Sequence, residues 1–502
     1  MSYLVAAPET LASTAGDVES IGSAIRSASA SAAAPTTGLL AAAQDEVSAA
    51  IANLFGAYGQ EYQAVVSRAA AFHNAFAQTL AAAGNAYAQA DAAGAALVSF
   101  ELAALGVPGQ TPSGGGASGG SSLLTSVVRS ASTDPTIALI LGTTGTAQPG
   151  PDYLAAVNSS FIQRLYPGAI PQGVFTPEQF WPVTPNLGNM TFGQSRALGV
   201  PLLNDAINTT LGGTTNHAVV FGVSGSATLA TDEINALMAA GSPYQGRLSF
   251  VLAGDPNNPV GGILERFPGF YIPFLDVAFN GATPPNSPYP TVIYTAQYDG
   301  IADLPQYPLN VVSDLNAFMG YFFVHDTYGT PGTPVFVTPD QVANAVPLPT
   351  SPGYTGNTQY YMIMTQNLPL LEPIRAIPYA GPPIADIFQP DLRVLVDMGY
   401  PDYGPGGDYA NIPTPAGLFV VPDPLTIIPD LALGAVQGPY GAAVEIGVEA
   451  GLVSPSMFPT TYPWAPSLDP HLNFPIVQSS TTGLSTLTGA IGPYLELIPP
   501  VH

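Results

Sequence analysis

Residues 108–122, PGQTPSGGGASGGSS, divide the chain into two stretches with different periodicities. A run so rich in Gly and Ser has few side chains to bury and a large backbone entropy to lose, so it behaves as a flexible linker. One hydrophobic core cannot extend across it. With 502 residues, the chain is long enough for two or three domains. The expected organisation is a helical hairpin over 1–100, a linker over 101–134, an α/β domain over 135–400 and a Pro/Gly-rich extension over 401–502.

The first stretch is Ala-rich and nearly free of Pro and Gly after Pro8, apart from a break at Ala34-Pro35-Thr36-Thr37-Gly38. This pattern predicts two helices joined by a tight turn, with Pro8 in the first helical turn and Thr36 or Thr37 capping the second helix. The second helix carries an apolar stripe that steps by three and four: Val47, Ile51, Leu54, Tyr58, Tyr62, Val65 and onward to Leu80 and Tyr87. A helix of about 50 residues spans about 75 Å. The first helix offers only Leu11, Val18, Ile21 and Ile25 against it. The uncovered part of the stripe calls for a helical partner, or for a second copy of the hairpin.

Beyond the linker, short apolar runs alternate with amphipathic stretches. IALILG (137–142), HAVVFGV (217–223), LSFVLAG (248–254) and TVIYTAQ (291–297) read as buried strands, and 152–166, 226–240 and 308–323 read as helices. Strands alternating with helices predict an α/β domain with a mainly parallel sheet. From 401 onward Pro and Gly are frequent and the periodicity fades, which predicts an irregular arm or lid.

Composition narrows the chemistry. The chain has 34 acidic residues against nine basic ones, all Arg, for a net charge of −25. That charge repels nucleic acid and anionic headgroups, so no nucleic-acid partner is expected. Charged residues are only 9% of the chain, so neutral and apolar atoms must cover much of its surface. With no Cys, and five His that form no ligand-like spacing, neither a metal site nor a cofactor is expected. The N-terminus lacks the basic and apolar regions of a Sec signal, and no run is apolar enough for a transmembrane helix.

A Ser nucleophile needs a sharp strand–turn–helix flanked by small residues. Gly222-Val223-Ser224-Gly225-Ser226 follows the strand HAVVFGV and opens a helix. Gly116-Ala117-Ser118-Gly119-Gly120 matches a GxSxG string more literally, yet it lies in the linker with no strand before it. Context therefore selects Ser224. A tight βα turn without chemistry would look the same locally. On such a fold the acid and the His follow the nucleophile at strand ends. Asp299 stands just after TVIYTAQ, with Asp303 and Asp255 as alternative acids, and His325 follows a helix. His217 would sit at the wrong end of the sheet, while His73, His471 and His502 lie on the hairpin or in the tail. An oxyanion hole needs two backbone N–H groups, one from Gly225 and one from the loop Gly142-Thr143-Thr144-Gly145-Thr146, through Thr143 or Thr144. That loop lacks the GK[ST] ending of a phosphate cradle, and the chain has no Lys.

Ala7-Pro8-Glu9 and Ala34-Pro35-Thr36-Thr37 resemble the PE domain of mycobacteria over about the first 95 residues. Tyr87 and Asp91 in YAQAD are similar to that family's YxxxD/E signal for type VII secretion. The stretches LGTTGTAQPGPDYL, GDPNNPVGGILERFPG, YTAQYDGIADLPQYPLN and TQNLPLLEP resemble the PE-PPE domain, an α/β-hydrolase relative of cutinases and lipases. The resemblance implies a nucleophile at Ser224, an acid at Asp299 and a base at His325. In this pentapeptide Val223 and Gly225 replace the aromatic and Gln more usual in the family, which bears on substrate preference. The resemblance further implies a PPE-type helical partner for residues 1–100, acyl-ester substrates and a secreted, cell-surface location. Two other readings use the same fold: a surface protein without useful activity, and an acyltransferase acting on cell-envelope lipids.

Overall fold

The computed structural model describes residues 134–328 and 337–500, with scattered positions between Gly16 and Gln63. The chain divides into two compact units, Met1–Ser126 and Val127–His502.

In the first unit the described positions before Gly38 are helical, and so are Ala52, Gln60 and Gln63. Gln63 Nε2 donates to the Ser29 carbonyl at 3.3 Å, which ties the two predicted helices together. Thr36 and Thr37 are helical, and their hydroxyls donate back to the Ala33 carbonyl at 3.2 and 2.8 Å. The start of the second helix, where either was expected to cap, lies outside the described residues. The long apolar stripe, Tyr87 and Asp91 lie mostly or wholly outside the described residues.

The second unit is an α/β domain. Its strands are β1 (Thr136–Ile140), β2 (Ile170–Gly173), β3 (His217–Val223), β4 (Leu248–Ala253), the small hairpin β5 (Tyr271–Ile272) and β6 (Val277–Ala278), then β7 (Thr291–Ala296), β8 (Val346–Pro347) and β9 (Thr358–Ile363). The main sheet runs β2-β1-β3-β4-β7-β9-β8 and is parallel, apart from β8 against β9. Its central strands are buried on both faces, which is why they read as continuous apolar runs rather than alternating ones.

Alternate residues of each strand serve two separate cores. Leu139, Val220, Phe250 and Leu252 pack on one face against Leu203, Ile207, Ile234 and Leu237. Those partners come from helices α2 (Phe192–Leu211) and α3 (Gly225–Ala239). Ala138, Ile140, Phe221 and Tyr294 pack on the other face against Tyr153, Val157 and Phe161. Tyr153 and Val157 belong to α1 (Pro151–Val157), which continues as a π turn over Asn158–Ile162. The other long helices of this part are α4 (Val311–Phe323) and α5 (Gly381–Asp397).

The stretch from 401 is not the irregular arm its composition predicts. It holds α6 (Pro424–Glu449) and α7 (Gly483–Leu495). Pro429 and Pro439 lie inside α6, so the helix forms despite losing two backbone donors. It lies so close to α5 that a Cβ on Gly434 would overlap the Asp391 carboxylate, and one on Gly438 the Ile387 carbonyl. The residues leading into it are strapped down: Thr414 N donates to Pro259 O at 2.9 Å, and Ala416 N to Arg266 O at 2.8 Å. The fully buried Arg266 donates in turn to Thr414 O at 2.5 Å and to Leu304 O at 3.0 Å. This stretch therefore belongs to the same packed unit as the sheet.

Candidate active site

Strand β1 sends its connection to β2 on one side and pairs with β3 on the other. The loops that leave the carboxyl ends of β1 and β3 diverge at this switch in the strand order, the usual ligand position of an open α/β sheet. Ser224 stands there, at the β3–α3 turn, with φ 55° and ψ −124°. A positive φ on a residue with a Cβ is strained and persists only where its surroundings impose it. Three neighbours do so. A Cβ on Gly222 would stand 2.7 Å from the Ser226 carbonyl, so only Gly lets strand and helix pass there. The Ser226 hydroxyl accepts from Val223 N at 2.9 Å and donates to Val223 O at 3.0 Å, closing the turn. Ser224 N donates to Ala253 O at 3.2 Å.

The Ser224 hydroxyl lies 2.8 Å from His325 Nε2. On the far side of the ring, Nδ1 meets Asp299 Oδ1 at 2.8 Å and Oδ2 at 3.0 Å. Asp299 is completely buried, and its Oδ1 also accepts from Ile301 N at 2.8 Å and Ala302 N at 3.1 Å. Those two donors come from the carboxylate's own loop, so the loop itself helps to aim it at the ring. His325 begins a 3-10 turn, His325–Tyr328, just beyond α4. Burial of the ring disfavours its charged form, but the charge and hydrogen bond of Asp299 and the charge of Asp326 outweigh this and raise its pKa above the ordinary value.

Of the three acids left open by spacing, the structure brings Asp299 to His325. Asp303 is turned away. Its Oδ2 accepts from Tyr298 N at 2.7 Å, and burial pushes its pKa up to about 7. Asp255 accepts from Thr283 Oγ1 at 2.7 Å and Asn257 N at 2.9 Å, and burial raises it to about 6. His217 stands at the opposite end of β3, and the exposed His471 pairs with Asp469 at 3.2 Å. His73 and His502 lie outside the described residues.

The loop after β1 reaches the same turn. A Cβ on Gly225 would overlap Thr144 Oγ1, so Thr144 lies directly against the residue after Ser224. The loop is itself a tight turn, with Thr146 N donating to Thr143 O at 2.8 Å and Gly145 N to Glu178 O at 2.9 Å. Gly145 takes φ 95°, a conformation that glycine supplies without strain. Thr144 thus reaches the turn that carries Ser224, and Thr143 lies next to it in the same loop.

Two residues around the base are absent from the candidate set read from the sequence. The Tyr321 ring stacks over His325 with centroids 6.0 Å apart, and Tyr328 meets it edge-on at 6.0 Å. Their spacing of four before and three after His325 is the available signal, since residues three and four apart meet within helical turns, here the last turn of α4 and the 3-10 turn after it. The arrangement can polarise a hydroxyl, pass its proton through an imidazole and hold the resulting charge. Among the described residues no cluster of three or more potential metal ligands occurs.

Comparison with known proteins adds the family. Residues 4–94 match the PE family and residues 167–401 match the PE-PPE domain. The chain is 53% identical to the PE family protein PE3 of Mycobacterium tuberculosis, over all of both chains. It is 44% identical to a protein of the same organism named esterase PE16, covering 88% of this chain and 77% of that one. A cutinase-like protein from a Cryptococcus species aligns over 34% of this chain and 79% of its own, with 20% identity and a TM-score of 0.25. With 53% identity over the full length of one PE protein and both domain matches in order, the chain belongs to the PE family and carries a PE-PPE domain behind its PE domain.

Proposed function

We propose that this protein hydrolyses carboxylic esters through Ser224, His325 and Asp299. The observation that carries the reading is the unbroken run of hydrogen bonds from the Ser224 hydroxyl through both nitrogens of His325 to Asp299. The name of the relative esterase PE16 supports the same class of chemistry.

Ser224 Oγ attacks the ester carbonyl carbon while His325 Nε2 takes its proton. The carbonyl electron pair moves onto oxygen, where the N–H of Gly225 and one from Thr143 or Thr144 hold it. Collapse expels the alkoxide, which takes the proton back from His325 and leaves as the alcohol. Water then repeats the sequence on the acyl-enzyme, releasing the acid. Asp299 keeps the imidazole in the required tautomer and balances its transient charge. Fatty acyl esters suit a chain in which only 9% of the residues are charged. No step requires a cofactor.

Residues 1–100 serve in this reading as an export and docking module. Their apolar stripe seats on a PPE-type helical partner, and Tyr87 and Asp91 direct type VII secretion to the cell surface. Export of Tyr87→Ala or Asp91→Ala chains, compared with activity in lysate, tests that part; normal export of both removes it. Labelling of the purified chain by a fluorophosphonate probe, lost in Ser224→Ala, tests the chemistry. Equal labelling of the two overturns it.

A further inference from the structure

Helix α4 is amphipathic in the wrong sense for a helix on a protein surface. Its buried residues are Ser313, Asn316, Ala317 and Gly320. Its large apolar residues face outward: Leu315 is 50% exposed, Phe318 61% and Phe322 50%, with Leu309 and Val311 beside them. The steps from Val311 through Leu315 and Phe318 to Phe322 are four, three and four, so they form one stripe.

The inversion has a cause on the inner side. A Cβ on Gly320 would overlap the Tyr298 carbonyl, and one on Gly300 would overlap the Ala317 carbonyl. The helix backbone therefore rests directly on the loop that carries Asp299, and only small residues fit between them. Ser313 Oγ donates to Val396 O at 2.6 Å, and Asn316 Oδ1 accepts from Leu370 N at 3.1 Å, so polar bonds seat the helix together with small apolar contacts, the buried Ala317 and Val312 against the cluster of Leu368, Leu371 and Val396. Left to solvent alone, the outer face has no reason to be apolar.

That face leads to the reactive centre. Phe318 and Phe322 pack edge-on with centroids 5.3 Å apart, Tyr321 meets Phe322 at 5.1 Å, and Tyr321 stacks over His325. No charged side chain interrupts the stripe, and the only acid within α4 is the half-buried Asp314. A chain with 34 acids and nine Arg does not approach an anionic surface. We infer that the outer face of α4 seats the protein on the surface of an aggregated neutral acyl ester, beside the Ser224–His325 pair. This rests on the ester-hydrolase reading and names the physical state of its substrate.

The test uses the full chain carrying Ser224→Ala, floated with triolein droplets coated with phosphatidylcholine, so binding is read without chemistry. Leu315→Ser/Phe318→Ser in that background should lower the droplet-bound fraction about tenfold or more. With Ser224 restored, the double variant should lose triolein hydrolysis by a similar factor, yet cleave monomeric p-nitrophenyl butyrate within about twofold of wild type. If the double variant melts without cooperativity, Leu309→Ser/Val311→Ser replaces it. Unchanged flotation of the variant overturns the inference. So does a parent chain that stays in the aqueous phase, that prefers phosphatidylglycerol vesicles, or whose α4 face proves buried in a dimer or under residues 1–133. A chain that floats as expected but hydrolyses no ester overturns the hydrolase reading alone.

Discussion

Thr144 and Gly225 stand so close that no side chain fits between them: a Cβ on Gly225 would overlap the Thr144 hydroxyl. The loop after β1 and the turn after β3, which carries Ser224, are thereby locked together. Gly225→Ala should force the two apart and displace the oxyanion donors. We expect kcat/KM to fall about tenfold to a hundredfold, the scale of losing one such donor in part. Gly225→Ala/Thr144→Ala removes the obstructing oxygen while keeping the Thr144 N–H, and should recover most of the loss. A double variant as slow as the single one would show that the contact is not the constraint.

Ser224→Ala should abolish ester hydrolysis beyond a low background and leave the fold intact. Because Ser224 holds φ 55°, Ser224→Gly should be the more stable of the two inactive variants, by about 1 kcal/mol, once the Cβ strain is gone. Thermal unfolding of the pair measures this. A lower melting temperature for Ser224→Gly contradicts the strain assignment.

Asp299→Asn and Asp303→Asn separate the acid that faces the base from the one that braces the loop. Asp299→Asn should lower kcat about a thousandfold or more, because an amide cannot fix the imidazole tautomer or balance its charge. Asp303 is held near neutrality by burial, and an Asn oxygen can still accept from Tyr298 N, so Asp303→Asn should cost about tenfold at most. Steady-state kinetics on one soluble ester ranks them, with Asp255→Asn as the control.

The pH dependence follows from the raised pKa of His325. The base works only when neutral, so kcat/KM should fall as pH drops through a value above the ordinary His pKa of about 6.5. The stability contributed by charging this His has the opposite sense, present at low pH and lost as pH rises through its folded pKa. In Asp299→Asn the burial of the ring is less opposed, so the acid limb of the residual activity should move to lower pH. A limb that stays in place would assign it to another group.

Two truncations test the unit boundaries. Removing residues 1–121 should leave a soluble, active fragment, since the second compact unit begins at Val127. Removing the chain from 402 onward should unfold it. Arg266 would remain buried without its Thr414 partner, and α5 would lose the helix that covers it. Limited proteolysis and circular dichroism report both, and a folded 122–401 fragment would overturn the second expectation.

The strand–turn–helix around Ser224 and the four strands read from sequence were legible because their signals are local. A buried parallel strand is a run of apolar residues, and a tight turn needs small residues within two positions of the nucleophile. The order Ser224, Asp299, His325 was legible too. Strand β9 and helices α2 and α5 were not read, and α6 was hidden by Pro429 and Pro439, which mark a helix end unless tertiary packing compensates for the lost bonds.

The choice of Asp299 over Asp303 and Asp255 belonged to the tertiary structure. Asp299 and Asp303 share one short loop, and both are buried. Their roles part only because Ile301 N and Ala302 N turn one carboxylate toward a His 26 residues later, while Tyr298 N holds the other away. The face of α4 was decided in the same way. Its periodicity shows an apolar stripe, and a stripe by itself points inward; the contact with the Asp299 loop turned it out. Periodicity reports interactions within about one helical turn or one strand step. The contacts that align Ser224 with a His 101 residues away depend on which strands lie side by side, and packing of the whole sheet decides that.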